Sequence, residues 1–585
     1  MLDIQHSVRR FTLDTQTTSI YNCRNRFVLF YLLSHRNYKG EIMENLLLLG
    51  AEAIAQGAID AGISGIYAYP GTPSTEITTY VQHSKEAAEK KIRSSWSTNE
   101  KTAYEAALGM SFTGKRSMVC MKHVGLNVAA DAFINSAITG VNGGLILVVA
   151  DDPSMHSSQN EQDSRFFGKF AMIPVIEPSN QQEAYDSVRY GFEISEKFQL
   201  PVMLRVTTRL SHSRSGIKRA KSLEQNKISL PSDPVQFMLL PAYARKKYHK
   251  LIEIQSLLEQ ESDGSFLNTL EINNPGGQGI IACGIGYNYL LENIAETKST
   301  YNILKVSQYP LPRNMVEKLV KNSSKILILE EGYPIYEELL RGYLYNQNSF
   351  HIDGRLNGVV EREGELNPDN VAAALGKKRP TIKGIDSIVA NRPPSLCQGC
   401  SHHDLYEELN AALSNVDDSQ VFSDIGCYTL GALAPLNAIN TCVDMGASVT
   451  MAKGAADAGF LPAVAVIGDS TFTHSGITGL LDCITDNSPV TIIISDNSTT
   501  AMTGGQASAG TGKLVEICEG IGVEKEHIRI IEPLAKNFDQ NVKVLKEEID
   551  YYGVSVIIAN RECIQTQLRR KKEEKKDDPL VRNCK

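Results

Sequence analysis

Residues 463–506 read AVAVIGDSTFTHSGITGLLDCITDNSPVTIIISDNSTTAMTGGQ. Ala463 to Ile467 is an apolar run broken by Gly468-Asp469-Ser470, which predicts a buried strand. Ser475 to about Asp486 has helical character, and Val490 to Ile494 is a second β-branched run ending in Asp496-Asn497. Strand, helix, strand is a βαβ unit whose two strand ends lie side by side in a parallel sheet. Ligands of such sheets bind beyond the carboxyl ends of the strands. Asp469 and Asn497 are therefore placed to share one hard cation, as Mg²⁺ requires when it bridges phosphates. Gly468 allows close backbone approach to a diphosphate, and Thr503-Gly504-Gly505 adds an amide-rich loop. The competing reading is an ordinary crossover whose Asp and Asn cap turns.

The stretch resembles the thiamine-diphosphate motif, GDG followed some 25 residues later by NN. Here it stands as GDS and DN, so Ser470 and Asp496 depart from it. The resemblance implies Asp469, the Asn497 side chain and the Thr499 main-chain carbonyl as Mg²⁺ ligands. Gly468, Ser470, Thr503, Gly504, Gly426 and Gly446 are the further expected cofactor-binding positions.

A chain of 585 residues is too long for one core and suggests several domains. A net charge of −8, with no long basic stretch before the far C-terminus, leaves a nucleic-acid role without a footprint. Phe27 to Leu33 falls far short of the roughly 20 apolar residues a bilayer span needs. No small-residue cleavage site follows it, so no signal peptide is expected. Eleven cysteines in a chain this long are buried thiols or ligands, not a disulfide scaffold. A soluble cytoplasmic enzyme is expected.

Residues 1–42 show no sustained period, and Lys39–Ile42 can be encoded by a ribosome-binding site. Translation is therefore expected to start at Met43, with 1–42 a non-native or disordered extension. Strands are predicted at Leu46–Leu49, Gly65–Ala68, Val119–Met121 and Leu145–Ala150, with a helix at Glu52–Ala61 and a small-residue helix at Ala103–Gly109. Their carboxyl ends run into Gly- or Pro-marked loops, the pattern of a doubly wound sheet.

YPGTPSTE (69–76), NEKTAYEAALG (99–109), MKHVGLN (121–127) and VADDPSMHSSQNEQDSR (149–165) resemble the pyrimidine-binding domain of the 2-oxoacid:ferredoxin oxidoreductases, in particular the alpha subunit of the indolepyruvate branch. The likeness covers about residues 44–565. It implies Glu100 as the carboxylate at N1′ of the cofactor's aminopyrimidine, where a proton shuttle is required. Thr72 is implied to bond substrate or ring, and His123 is a candidate for the substrate carboxylate. A helix-start charge and a structural histidine are the competing readings of Glu100 and His123. Related pyruvate enzymes carry an arginine near Asp151-Asp152, and its absence implies a different grip on the substrate.

The expected fold is α/β with three doubly wound parallel-sheet domains: pyrimidine-binding (43–214), linker plus transketolase C-terminal-like (215–385) and diphosphate-binding (386–565). The linker, Ser215 to about Leu270, is polar and Lys-rich. Strands are predicted at Gly279–Cys283, Ile303–Val306, Lys325–Leu329 and Val554–Ala559. Cys397 and Cys400 form a C-x2-C pair, which suits a cluster corner or a zinc site. With Cys427, after a strand, and Cys563, beyond the last strand, the resemblance implies a [4Fe–4S] cluster. Residues 566–585 form a charged tail whose Val581–Lys585 resembles the truncated opening of a ferredoxin domain, with Cys584 alone. The implied activity is oxidative decarboxylation of an aryl 2-oxo acid to acyl-CoA and CO₂. The implied partners are a smaller beta subunit, ferredoxin and coenzyme A, in a dimer of alpha–beta units. A non-oxidative thiamine decarboxylase or carboligase is the alternative enzyme, and a scaffolding subunit the non-enzymatic one.

Overall fold

The computed structural model describes residues 45–343, 351–377, 394–416 and 419–577. The expectations for residues 1–42 and for Cys584 lie outside them. The βαβ stretch is the centre of a five-stranded parallel sheet in the order Gln420–Ser423, Ala463–Gly468, Val490–Asp496, Ser555–Asn560, Ile528–Ile531. Its runs are apolar throughout because helices cover both faces. Val464, Val466 and Ile493 pack against Leu405, Leu409 and Leu545, while Ala465, Ile467 and Ile494 pack against Val449, Leu480 and Leu514. Gly468 pairs with Ser495, so Asp469 and Asp496-Asn497 emerge side by side at one sheet edge.

The helix expected from Ser475 begins earlier. Asp469–Thr471 is helical, Phe472–Gly476 is a π-helical turn, and the α-helix proper is Ile477–Asp486. Such turns occur as single wide windings and concentrate at functional sites. Asn487, left-handed at φ 52°, ends the helix.

The first sheet has seven strands, where the sequence suggests fewer. Their order is Gln308–Tyr309, Val175–Ile176, Val202–Thr207, Leu145–Asp151, Ser117–Lys122, Gly65–Ala68, Arg93–Trp96. Gln308–Tyr309 comes from the middle unit and pairs antiparallel with Val175–Ile176. The strand expected at Leu46–Leu49 does not join this sheet. Asn45–Leu49 pairs antiparallel with Arg214–Lys218 in a separate two-stranded ribbon. The ribbon has a wet side, on which Leu47 is exposed, so its return strand RSGIK lacks an apolar signature. The start of the expected linker therefore belongs to the first unit. The stretch after it is also tied down, by Leu223 N–H to Asp60 O (2.7 Å) and Ser229 N–H to Thr113 O (2.9 Å). Helices Pro241–Glu253 and Gln255–Gly264 follow.

The middle unit's sheet runs His351–Asp353, Ser323–Leu329, Gly277–Cys283, Tyr301–Val306, Thr269–Glu271, the last antiparallel. Its core is continuous with that of the first sheet, through Cys283, Val306 and Tyr309 against Ala171 and Val175. Beneath this junction two buried arginines are consumed by carboxylates. Arg165 pairs with Asp163 (2.5 Å) and Glu330 (3.0 Å), and Arg205 with Asp151 (2.7 Å) and Glu177. Removing one partner of such a set strands a buried charge and costs about 3–5 kcal/mol. The charged tail begins as the helix Ile564–Asp577, and Arg569 in it donates to Gly504 O (2.5 Å). None of the described helices is long and apolar enough to cross a membrane.

Candidate active site

The carboxyl edges of the first and third sheets face one another across a cleft of about 600 Å³. The loop after Gly65–Ala68 contributes Tyr69 to Thr72, the helix Glu100–Phe112 contributes its first residue, and Ser117–Lys122 contributes its last. From the other side come Gly426, Cys427, Asp469, Ser470, His474, Asn497 and the loop through Thr503. Tyr69 Oη lies 2.9 Å from Ser470 Oγ, which lies 2.9 Å from Thr500 Oγ1. Asn99 Nδ2 donates to His474 O at 3.1 Å. Ser470, a departure from the motif, thus ties the two walls together.

Glu100 is buried, and its Oε2 is 2.8 Å from His474 Nε2 on the opposite wall. The π-helical turn carries His474, and Tyr69 meets its ring edge-on at 4.7 Å. A Cβ on Gly125 would come within 2.5 Å of Glu100 Oε1, so Gly125 makes room for the acid. Glu100 also stands at the N-terminus of its helix, where the dipole favours a carboxylate. That role does not account for the cross-cleft bond.

Asp469 is almost fully buried, and its Oδ2 has no hydrogen-bond partner among the described residues. Burial, and then the nearby Asp496, push its carboxyl up to about 7. A bare carboxylate oxygen beside a second acid is what a cation would satisfy, so this edge fits Mg²⁺. Asn497 Oδ1 accepts from Thr499 N–H (3.2 Å), and its Nδ2 lies 3.2 Å from His402 Nε2. Burial lowers the His402 ring to about 4, so it stays neutral and able to accept from Asn497. Asp496, the other departure, forms the turn by accepting from Ser498 N–H (2.9 Å) and from Asn560 Nδ2 (2.6 Å). Thr499–Thr500 and Gln506–Ala507 pair as a small ribbon. Gly504 and Gly505 close it at φ 121° and 90°, conformations that only glycine adopts readily. Thr503 Oγ1 donates to Gln506 Oε1 at 2.7 Å.

Two of the glycines expected to cradle a diphosphate line the cleft and pack against an aromatic ring. Cβ atoms on Gly468 and Gly426 would strike the Tyr428 ring at 2.5 and 2.2 Å. Tyr428 donates to Asp424 Oδ1, and Asp424 Oδ2 accepts from Gly446 N–H (3.1 Å) and Ser448 Oγ (2.6 Å). Burial pushes Asp424 up to about 6. Gly446 sits at φ 94° ahead of the helix Ala447–Asp457, and Asp424 fixes that entry.

The four cysteines gather at the same edge. Burial raises the Cys427 thiol to about 12, with further contributions from Cys400, Cys563 and Cys397. Cys427 lines the cleft. Cys563 N–H donates to Asn497 O at 3.1 Å, one bond from the expected metal ligand.

Residues 56–240 match the family described as "Pyruvate flavodoxin/ferredoxin oxidoreductase, thiamine diP-bdg". Residues 424–559 match "Thiamine pyrophosphate enzyme, C-terminal TPP binding domain". Among relatives, indolepyruvate oxidoreductase subunit IorA of Archaeoglobus fulgidus is 38% identical over 549 residues, 89% of this chain and 86% of its own length. That of Pyrococcus horikoshii is 37% identical over 583 residues, 92% of this chain and 88% of its own. The chain belongs to the indolepyruvate oxidoreductase IorA family. A 2-oxoglutarate:ferredoxin oxidoreductase structure from Magnetococcus marinus, with 2-oxoglutarate, coenzyme A and succinyl-CoA bound, is 16% identical with a TM-score of 0.45, covering 53% of this chain and 61% of its own.

The two domain matches of this IorA-family chain contain most of the cleft lining, Glu100 in one and Asp469 in the other, with His402 outside both. Cys397, Cys400 and Cys563 lie outside both. Thr72 lines the cleft, and its carbonyl is 3.5 Å from Ser157 Oγ. His123 does not line it. That ring is buried, with Nε2 3.3 Å from Asn160 O and Nδ1 unpartnered among the described residues. Asp151 belongs to the arginine network, and Asp152 shapes a loop through Ser157 N–H (2.8 Å), Ser158 (2.6 Å) and Thr208 (2.7 Å). Sequence reasoning missed His474, His402, Asp424, Tyr428 and Lys122. The FTHSG run offers a histidine but no clue that it crosses to Glu100.

Proposed function

We propose that this chain, with a smaller beta subunit, oxidatively decarboxylates an aryl 2-oxo acid of the indolepyruvate kind to acyl-CoA and CO₂. Ferredoxin would receive the two electrons, one at a time, and the assembly would be a dimer of alpha–beta units. The observation that carries this is one cleft with a buried acid on each wall, Glu100 and Asp469, whose Oδ2 has no partner among the described residues. Bound thiamine diphosphate supplies the nucleophilic carbon and the electron sink that such chemistry needs. Asp469, the Asn497 side chain and the Thr499 carbonyl would hold its Mg²⁺, with His402 keeping Asn497 turned toward the ion. Glu100, oriented by His474, would hold and move a proton at N1′ of the aminopyrimidine. Val128, Val443 and Met502 are exposed along the cleft and suit an aryl side chain. Cys397, Cys400, Cys427 and Cys563 would hold a [4Fe–4S] cluster beside Asn497, within reach of the reacting carbon's electrons. A non-oxidative carboligase has no use for these four thiols. The expected result of titrating apo-protein with thiamine diphosphate in a calorimeter is saturable binding with Mg²⁺ and at least tenfold weaker binding with chelator. Equal binding without the metal would count against the assignment of Asp469.

A further inference from the structure

We infer that Lys122 receives the carboxylate of the 2-oxo acid substrate. The inference rests on the decarboxylation proposed above. Among the described residues that line the cleft, Lys122 is the only lysine or arginine. It is 8% exposed and forms no ion pair within 4.0 Å among the described residues. Its Nζ donates to Ser157 O (2.6 Å) and Ser157 Oγ (3.3 Å), both neutral, leaving one of three protons uncommitted. A buried ammonium without a counter-ion is costly. Burial accordingly lowers this amine to about 8, against the opposing influence of Asp152. Asp152 is itself spent on Ser157, Ser158 and Thr208, so it fixes the loop that faces Lys122.

Three arginines near this sheet edge are already paired. Arg165 and Arg205 are wholly buried against carboxylates, and Arg209 pairs with Glu365. On the opposite wall of the cleft, Asp469 and Asn497 offer acceptors, which suit a cation and repel a carboxylate. The lysine stem is held in place, since a Cβ on Gly71 would sit 3.2 Å from Lys122 Cβ. Thr72 O and Ser157 Oγ, 3.5 Å apart, complete a polar corner beside it. A substrate laid across the cleft would put its carboxylate in this corner and its aryl group against Val128 and Met502. The substrate's C–C bond to the carboxylate breaks with its electron pair left on the acyl carbon, and the carboxylate departs as neutral CO₂. An anchor limited to one charge-assisted contact therefore binds the ground state without opposing that loss heavily.

The test uses the enzyme assembled with its partner subunit and loaded with cofactor. Lys122→Met is expected to raise KM for an arylpyruvate by roughly 10- to 100-fold, the size of one hydrogen bond to a charged group. Turnover at saturation, KM for coenzyme A and affinity for thiamine diphosphate should stay within about threefold. Lys122→Arg should recover part of the loss. Independently of turnover, calorimetry should show wild type binding a 3-arylpropanoate about 10-fold or more tightly than its primary amide, and Lys122→Met binding the two alike. If Lys122→Met folds poorly, Lys122→Gln is read by the same ratio. A wild-type ratio retained in both neutral variants overturns the assignment of Lys122 and leaves the decarboxylase reading standing. A wild-type enzyme that turns over no 2-oxo acid overturns both.

Discussion

Glu100→Gln is expected to lower turnover by about 10²- to 10⁴-fold, the usual contribution of a positioned acid–base group. The fold should survive the change. Glutamine keeps the shape that fills the space over Gly125, and its carbonyl can still accept from His474 Nε2. What it cannot do is take up and release a proton at the cofactor's ring. Thiamine diphosphate should therefore bind with nearly wild-type affinity, because Asp469 and Asn497 stand on the other wall. Proton NMR of the bound cofactor gives the decisive readout. Exchange of the thiazolium C2 proton for deuterium should slow in step with turnover. Wild-type exchange in the variant would show that Glu100 is only a helix-start charge.

The second large effect concerns the thiols. Anaerobically purified protein should hold about four irons per chain, and Cys563→Ser should lose them. Cys563 is the informative choice because it is the proposed ligand from beyond the last strand, and its backbone N–H bonds Asn497 O. Its loss should abolish reduction of ferredoxin while leaving cofactor binding in place. One zinc per chain and no iron would refute the cluster, whatever the activity.

Much of the fold could be read from the chain because its central strands are apolar on both faces. Ala463–Gly468 and Val490–Asp496 are buried throughout, so their ends, and with them Asp469 and Asn497, could be located to within two residues. Weak strands were not legible. Arg93–Trp96 is RSSW at a sheet edge, Val175–Ile176 is two residues long, and Arg214–Lys218 has one wet face. None carries a period that distinguishes it from a loop. The partners of the site were hidden for another reason. Glu100 and His474 are 374 residues apart in the chain, and only the packing of two sheets brings them to 2.8 Å. Lys122 reads as the polar end of a strand until the cleft shows it to be the one lysine or arginine among the described residues of its lining. Ser470 and Asp496, which weaken the motif on paper, have structural work in this chain, one linking the walls and one forming the turn beside Asn497.

The most direct test of the account is an anaerobic assay of the chain assembled with its partner subunit, following viologen reduction with several 2-oxo acids in the presence and absence of coenzyme A. The account predicts reduction that requires coenzyme A and thiamine diphosphate, is fastest with arylpyruvates, and yields one acyl-CoA per two electrons. Release of CO₂ and an aldehyde, with no viologen reduced and no dependence on coenzyme A, would contradict it.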